Sequence, residues 1–242
     1  MSRTVVVTGG ARGIGRAAVQ RFAAAGDRVI ALGRDRTALE ALGVESVVCD
    51  VTDESAVTAV FDQIGAVDVL VNNAGMGESA ALGSTTLDSW RRHMDVNATG
   101  PFLCMRAVVP GMRERGSGAV VTVASTAGRV GVPYTTAYSA SKHAVVGLTR
   151  AVASEVAGTG VRVNAVCPTF VRTDMTERSI ANIVSRTGRT PEQAEAALAA
   201  AALLGRLLEP QEVADAIVFL ASPAAAAING QAIVIDGGGI QA

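Results

Sequence analysis

Apolar residues along the chain fall into two alternating patterns. Short runs rich in valine and isoleucine read as strands buried on both faces: Thr4–Val7, Arg28–Leu32, Ser46–Cys49, Val67–Val71, Ala119–Val123, Arg162–Val166 and Ala232–Ile235. Between them, apolar positions recur every three or four residues. That spacing predicts helices over Ile14–Ala25, Thr37–Leu42, Glu54–Ile64, Leu87–Arg115, Ala137–Ala157 and Pro210–Ala221. Strand and helix in strict alternation predict an α/β fold, a single Rossmann-type doubly wound domain. Its parallel sheet would have seven strands with helices on both faces. No internal repeat, low-complexity linker or boundary interrupts the pattern, so residues 1–242 read as one domain. One stretch breaks the alternation: from Thr169 to Leu208 a polar loop leads into an alanine-rich helix, Pro191–Leu203. A segment of this kind is expected to form a substrate lid, at about residues 169–208.

Composition narrows the function classes. With 242 residues, 49% hydrophobic and 18% charged, the chain can bury a large core without a metal or disulfide. A net charge of −1 offers no basic field for nucleic acid or an anionic membrane surface. The longest apolar stretch, Ala214 to Ile228, is broken by Asp215, Ser222 and Pro223, so no membrane span is expected. Cys49, Cys104 and Cys167 are odd in number and lack a C-x-x-C pair, and Met1-Ser2-Arg3-Thr4 runs directly into a strand. These features lead us to expect a cytoplasmic protein without a leader. Of 21 basic residues, Lys142 is the only lysine, which marks it as a position where arginine does not serve.

The first strand runs into Thr8-Gly9-Gly10-Ala11-Arg12-Gly13-Ile14-Gly15 and then a helix. Glycines in that context permit a tight turn and bring backbone N–H groups to a pyrophosphate at the helix N-terminus. The end of the second strand is where dinucleotide folds discriminate between cofactors, an acid holding a ribose hydroxyl and an arginine accepting a 2′-phosphate. Here Gly33 stands where the acid is expected and Arg34 follows it, with Arg12 in the glycine loop as a second cation. Both favour NADP(H), while Asp35 keeps NAD(H) open.

Tyr138-Ser139-Ala140-Ser141-Lys142 places a phenol and an ammonium on one helix face. A neighbouring cation lowers the phenol pKa toward the working range, which suits a group that exchanges a proton with an alcohol oxygen. In isolation, the same spacing would also describe a surface contact. Ser125 follows the fifth strand and Asn72-Asn73-Ala74-Gly75 ends the fourth, both at the sheet edge where open α/β sheets bind ligands. Asn97 falls inside the predicted helix Leu87–Arg115.

Taken together, these residues, with Asp50 and Asp236-Gly237-Gly238, resemble the compact short-chain dehydrogenases/reductases over almost the whole chain. The resemblance implies that Tyr138 is the general acid/base and that Ser125 binds the substrate oxygen. It implies that Lys142 holds the nicotinamide ribose while lowering the Tyr138 pKa, and that Asn97 supports a water in the proton relay. By the same resemblance the cofactor meets Gly9, Arg12, Gly13, Ile14, Gly15 and Arg34 at one end. Asp50 and Val51 meet the adenine, and Asn73, Ala74 and Gly75 the adjacent ribose and backbone. Pro168, Val171 and Thr173 meet the nicotinamide, although Pro168-Thr169 departs from the family's Pro-Gly. The nearest subgroups are ketoreductases of 3-oxoacyl and polyketide chains and 3-hydroxyacyl-CoA dehydrogenases.

The implied substrate is thus a small ketone or alcohol, or an acyl thioester, and the implied assembly a homotetramer. Arg186 and Arg189, before the alanine-rich helix, are candidates for the phosphates of a pantetheine arm, or are plain solvated arginines. The turns before the fifth and sixth strands lack the basic residues expected for docking an acyl carrier protein. A sugar epimerase or dehydratase would need a further substrate domain, and a cofactor-sensing regulator would be expected to lack Tyr138 or Lys142. His93 and His143 have no ligand spacing for a metal, so none is expected; His143 and Trp90 read as packing residues.

Overall fold

The computed structural model describes residues 2–200 and 202–240. The strands are β1 (Thr4–Thr8), β2 (Arg28–Gly33), β3 (Glu45–Val48), β4 (Val69–Asn72), β5 (Gly118–Val123), β6 (Val161–Pro168) and β7 (Ala232–Ile235). The helices are α1 (Gly13–Ala24), α2 (Arg36–Glu40), α3 (Glu54–Ile64), α4 (Leu87–Met94), α5 (Gly100–Arg115) and α6 (Thr136–Glu155), then α7 (Asp174–Thr187), α8 (Pro191–Ala200) and α9 (Pro210–Leu220). The seven strands form one parallel sheet in the order β3-β2-β1-β4-β5-β6-β7. Strand order reverses between β1 and β4, and the crevice beyond their carboxyl ends is where such sheets bind ligands.

Continuous apolar strands follow from burial on both faces. In β1, Val5 and Val7 join a core with α1 and α9, while Val6 joins the opposite core with α3 and α5. The sheet is therefore held rigid from both sides, and the loops at its carboxyl edge start from fixed points.

Two expectations need correction. The helix predicted across Leu87–Arg115 is two helices joined by a π-helical turn, Asp95–Thr99, which carries Asn97. The wider turn rotates the helix face locally, a feature common at functional sites. The polar stretch after Thr169 is not a loop but contains the 14-residue helix α7, ended by Gly188 in the left-handed conformation (φ 70°). The alanine-rich helix expected over Pro191–Leu203 runs from Pro191 to Ala200, and Ala201 lies outside the described residues. Among the described residues, no helix is long and apolar enough to cross a membrane.

Candidate active site

One cavity of about 510 Å³ runs along the carboxyl edge of the sheet, from Arg34 and Asp50 at one end to Tyr138 and Met175 at the other. That volume is in the range of sites for small organic ligands.

At the first end the backbone itself builds the wall. The buried Thr8 hydroxyl accepts hydrogen bonds from the N–H groups of Asn73 and Ala74, both at 3.0 Å. The Asn73 amide returns two bonds, to the carbonyls of Thr8 and Gly9, also at 3.0 Å. The ends of β1 and β4 are thus laced together. Gly9 has φ 63°, a left-handed conformation that glycine adopts freely. A Cβ on Gly15 would lie 2.3 Å from the Gly9 carbonyl oxygen and 2.4 Å from Asn73 Nδ2, so no side chain fits. A Cβ on Gly13 would meet the Thr173 methyl at 2.9 Å. Helix α1 begins here with no side-chain cap and no acid in its first turn, leaving its N–H groups and positive dipole end for an anion. These features, a cradle free of side chains over an uncapped helix start, fit the pyrophosphate of a dinucleotide.

Both rim arginines have carboxylate neighbours. Arg12 pairs with Asp35 and lies 3.5 Å from Asp174. Arg34 lies 3.7 Å from Asp50, with its side chain 76% exposed and free to swing toward a ligand. Burial raises the Asp50 pKa, but hydrogen bonds from Thr52 and the Arg34 charge outweigh it, so the carboxyl sits below its usual range. Asp35 also caps α2, accepting from the Ala38 N–H at 3.1 Å.

At the other end, Ser125 leaves β5 and caps a short turn, its Oγ accepting from the Ala127 N–H at 3.1 Å. Gly128 in that turn lies against α6: a Cβ there would be 2.7 Å from the Lys142 carbonyl oxygen. Helix α6 carries Tyr138 and Lys142 one turn apart, and Ser125 hydrogen-bonds the phenol. The buried Lys142 ammonium donates to the Val123 carbonyl at 2.8 Å and lies 5.8 Å from the centre of the Tyr138 ring.

Electrostatics here differ from the expectation that Lys142 sets the phenol. Burial pushes the Tyr138 phenol above its ordinary value, against the Ser125 hydrogen bond, and the neighbouring Cys167 adds to the rise. Burial also pulls the Lys142 ammonium down to about 8, with Cys167 acting the other way. The two pKa values are therefore driven apart, the phenol up and the ammonium down, and at neutral pH the pair is a neutral phenol beside a cation.

Asn97 stands behind this site and does not line the cavity. Its Oδ1 accepts from the Met76 N–H at 2.8 Å, and its Nδ2 donates to the Met76 carbonyl and to Ser141 Oγ, both at 2.9 Å. His93, one turn earlier, is fully buried and was not expected to matter. Its Nδ1 faces the Ser89 carbonyl at 2.7 Å and its Nε2 accepts from the Glu78 N–H at 3.1 Å, which defines a neutral ring protonated at Nδ1. The ring edge packs on Tyr138 with centroids 6.4 Å apart. Asn97 and His93 thus pin the segment 76–78 beside Tyr138. A Cβ on Gly77 would touch the Tyr138 ring and the Met175 sulfur at 3.3 Å. Above, α7 is tied down by Asn182 Nδ2 donating to Ser79 Oγ at 2.8 Å.

Of the residues expected at the site, all but Gly15 and Asn97 line the cavity: Gly9, Arg12, Gly13, Ile14, Arg34, Asp50 and Val51 toward one end, Asn73, Ala74, Gly75, Pro168, Val171 and Thr173 between, and Ser125, Tyr138 and Lys142 toward the other. Gly15 lies beneath Gly9, and Asn97 behind Gly75. Met175, Phe170, Gly77 and Arg178, which sequence reasoning did not single out, also line it. His143 is exposed, not packed, and Trp90 on α4 is 38% exposed.

A family model described as enoyl-(acyl carrier protein) reductase matches residues 9–239. The chain is 40% identical to 2-(R)-hydroxypropyl-CoM dehydrogenase of Xanthobacter autotrophicus, over 98% of both chains. It is 37% identical to a 3-oxoacyl-[acyl-carrier-protein] reductase of Thermotoga maritima, covering 98% of this chain and 97% of that one. Among solved structures it resembles a single-residue variant of actinorhodin polyketide ketoreductase with NADPH, with a TM-score of 0.91 and 37% identity over 98% and 97% of the two chains.

Proposed function

The chain belongs to the short-chain dehydrogenase/reductase family, NAD(P)-dependent enzymes that interconvert ketones and secondary alcohols, and we propose that it works as an NADPH-dependent reductase of a 3-oxoacyl thioester or related ketone. The observation that carries this reading is one continuous cavity with a side-chain-free cradle at one end and Ser125, Tyr138 and Lys142 at the other.

The bound nicotinamide supplies the hydride. Ser125 donates a hydrogen bond to the substrate carbonyl oxygen, holding it beside the phenol. Tyr138 gives its proton to that oxygen as negative charge develops on it. A phenol held neutral by burial is in the correct state for this at neutral pH, which favours reduction over oxidation. Lys142 stabilises the phenolate left behind and holds the nicotinamide ribose. Asn97 fixes Met76 and Ser141 around the reacting groups and supports a water that returns the proton.

At the other end, Arg34 accepts the 2′-phosphate after leaving Asp50, with Arg12 beside it. Asp50 and Val51 hold the adenine, and Val171 and Thr173 the carboxamide. The segment 169–208, now α7 and α8, serves as the lid within a single catalytic domain. Apolar residues around much of the circumference of α5 and α6, with Phe102 on α5 exposed, support assembly through these two helices into a homotetramer. Three free, buried cysteines suit a cytoplasmic setting.

A second reading, an NAD-dependent dehydrogenase of a 3-hydroxyacyl-CoA or small secondary alcohol, is favoured by the pairing of both rim arginines with carboxylates, which a plain ribose would leave intact. Following absorbance of NADPH and NADH separately with 3-oxobutanoyl-CoA tests the choice. Faster consumption of NADPH supports the reductase. Preference for NADH supports the dehydrogenase and removes the role given to Arg34.

A further inference from the structure

Apart from Lys142, whose ammonium donates to the Val123 carbonyl, the charges lining the cavity are nearly all neutralised within the chain. Arg12 is held by Asp35 and Asp174, Arg34 by Asp50, and Glu78 lies 3.3 Å from Arg92, outside the cavity. Arg178 is different. It lines the mouth at the Tyr138 end, is exposed, and has no carboxylate or hydrogen-bond partner among the described residues. Asp174, one turn before it on α7 and correctly spaced for an ion pair, is turned to Arg12 instead.

The helix that carries Arg178 is fixed in place. Asn182, one turn on, is bonded to Ser79, so α7 cannot roll Arg178 away from the mouth without breaking that bond. Arg186, a further turn along the same face, donates from Nε to Asn182 Oδ1 at 2.9 Å, and it too has no carboxylate partner among the described residues. The row Arg178–Asn182–Arg186 therefore leads outward from the cavity as a strip of positive charge about 12 Å long. Inside the mouth, apolar Gly77, Val132, Phe170 and Met175 share the wall with uncharged Ser79, Thr135 and Ser179, and the acid there, Glu78, pairs with Arg92. An occupant that matches this wall has an uncharged part at Tyr138 and an anion at the rim.

We propose that Arg178 anchors an anionic group of the substrate, a carboxylate or phosphate oxyanion carried beyond the reacting carbonyl, with Arg186 as a second cation for a longer arm. The inference rests on the ketone-reduction reading and adds the charge that the substrate must bear. Two sources share this chemistry, the phosphates of a CoA carrier and a carboxylate on the substrate itself.

Matched substrates separate them. With reduced cofactor saturating, kcat/KM is measured for 3-oxobutanoyl-CoA against its uncharged N-acetylcysteamine thioester, and for 3-oxobutanoate against its methyl ester. We expect at least one anionic member to be preferred about tenfold or more over its neutral partner. Arg178→Gln should abolish that preference by raising KM for the anion, leaving the neutral partner within about twofold. If the CoA pair shows the effect, Arg186→Gln should weaken it as well; if the acid pair shows it, Arg186→Gln should be silent. Equal use of both members of both pairs, or equal slowing of neutral and anionic substrates by Arg178→Gln, overturns the proposal.

Calorimetric titration of the cofactor complex with CoA and with butanoate gives an answer independent of turnover. If none of the four substrates is reduced but an anion binds the native protein and not Arg178→Gln, the thioester reading fails and the anchor stands. Absence of binding by both anions removes the anchor.

Discussion

Thr8 is a small residue on which the nucleotide end of the site depends. Its hydroxyl oxygen, in a residue 1% exposed, is the shared acceptor for two backbone N–H groups, those of Asn73 and Ala74. Thr8→Val keeps the shape and leaves both donors without a partner. Each buried unpaired amide costs about 1–3 kcal/mol. Because the loop lies at the open edge of the sheet, partial relaxation places the sum near the lower half, about 2–4 kcal/mol. For a chain of 242 residues, each kcal/mol moves the melting midpoint by about 2 °C, so thermal unfolding should begin about 4–8 °C earlier. Asn73 and Ala74 also line the cavity, so cofactor affinity, read by fluorescence titration, should fall about tenfold. Thr8→Ser keeps the oxygen and should recover most of both losses. Melting of Thr8→Val within about 1 °C of the native protein would refute the reasoning. So would a Thr8→Ser variant as damaged as Thr8→Val, since the oxygen would then not be what matters.

Arg34→Gln should reduce the preference for NADPH over NADH about tenfold or more, the worth of one charge-assisted hydrogen bond, with kcat on NADH unchanged in steady-state assays. His93→Leu removes the acceptor for the Glu78 N–H and loosens the wall beside Tyr138; kcat/KM for the ketone should fall about tenfold at constant cofactor KM, with partial recovery in His93→Gln. Burial disfavours the Lys142 ammonium and brings its pKa down to about 8, so its charge is lost at lower pH than that of a free lysine. The reductive kcat/KM should therefore decline above about pH 8 while the phenol is still protonated, and Lys142→Arg, if active, should move that limb upward.

Much of this site was legible in the sequence because it depends on residues whose presence is a steric or chemical necessity. Gly15 can have no side chain 2.3 Å from a carbonyl oxygen, and Tyr138 and Lys142 must share a helix face to act together. The strands were legible because valine runs buried on two faces read the same in any context. Helix α7 was not, because its surface is polar; Ile180, Ile183 and Val184, followed by Gly188, were the available signal. The π turn that reorients Asn97 leaves no periodicity to read over five residues. His93 was hidden for a different reason. Its partner is a backbone N–H contributed by a loop 15 residues earlier, a contact no side-chain motif announces. The charge state of the Tyr138–Lys142 pair depends on burial, and spacing alone points only to the effect of one charge on the other.

The most direct test of the account follows the hydride and the proton separately. Reduced cofactor deuterated at the transferred position is incubated with 3-oxobutanoyl-CoA and with a panel of free ketones, and the products are examined by mass spectrometry. The account predicts one deuterium on the new carbinol carbon with the native protein. It predicts a loss of about a hundredfold or more in the rate with Tyr138→Phe, whose cofactor affinity stays native. Deuterium transfer at a native rate by Tyr138→Phe, or no carbinol deuterium from any ketone, would contradict it.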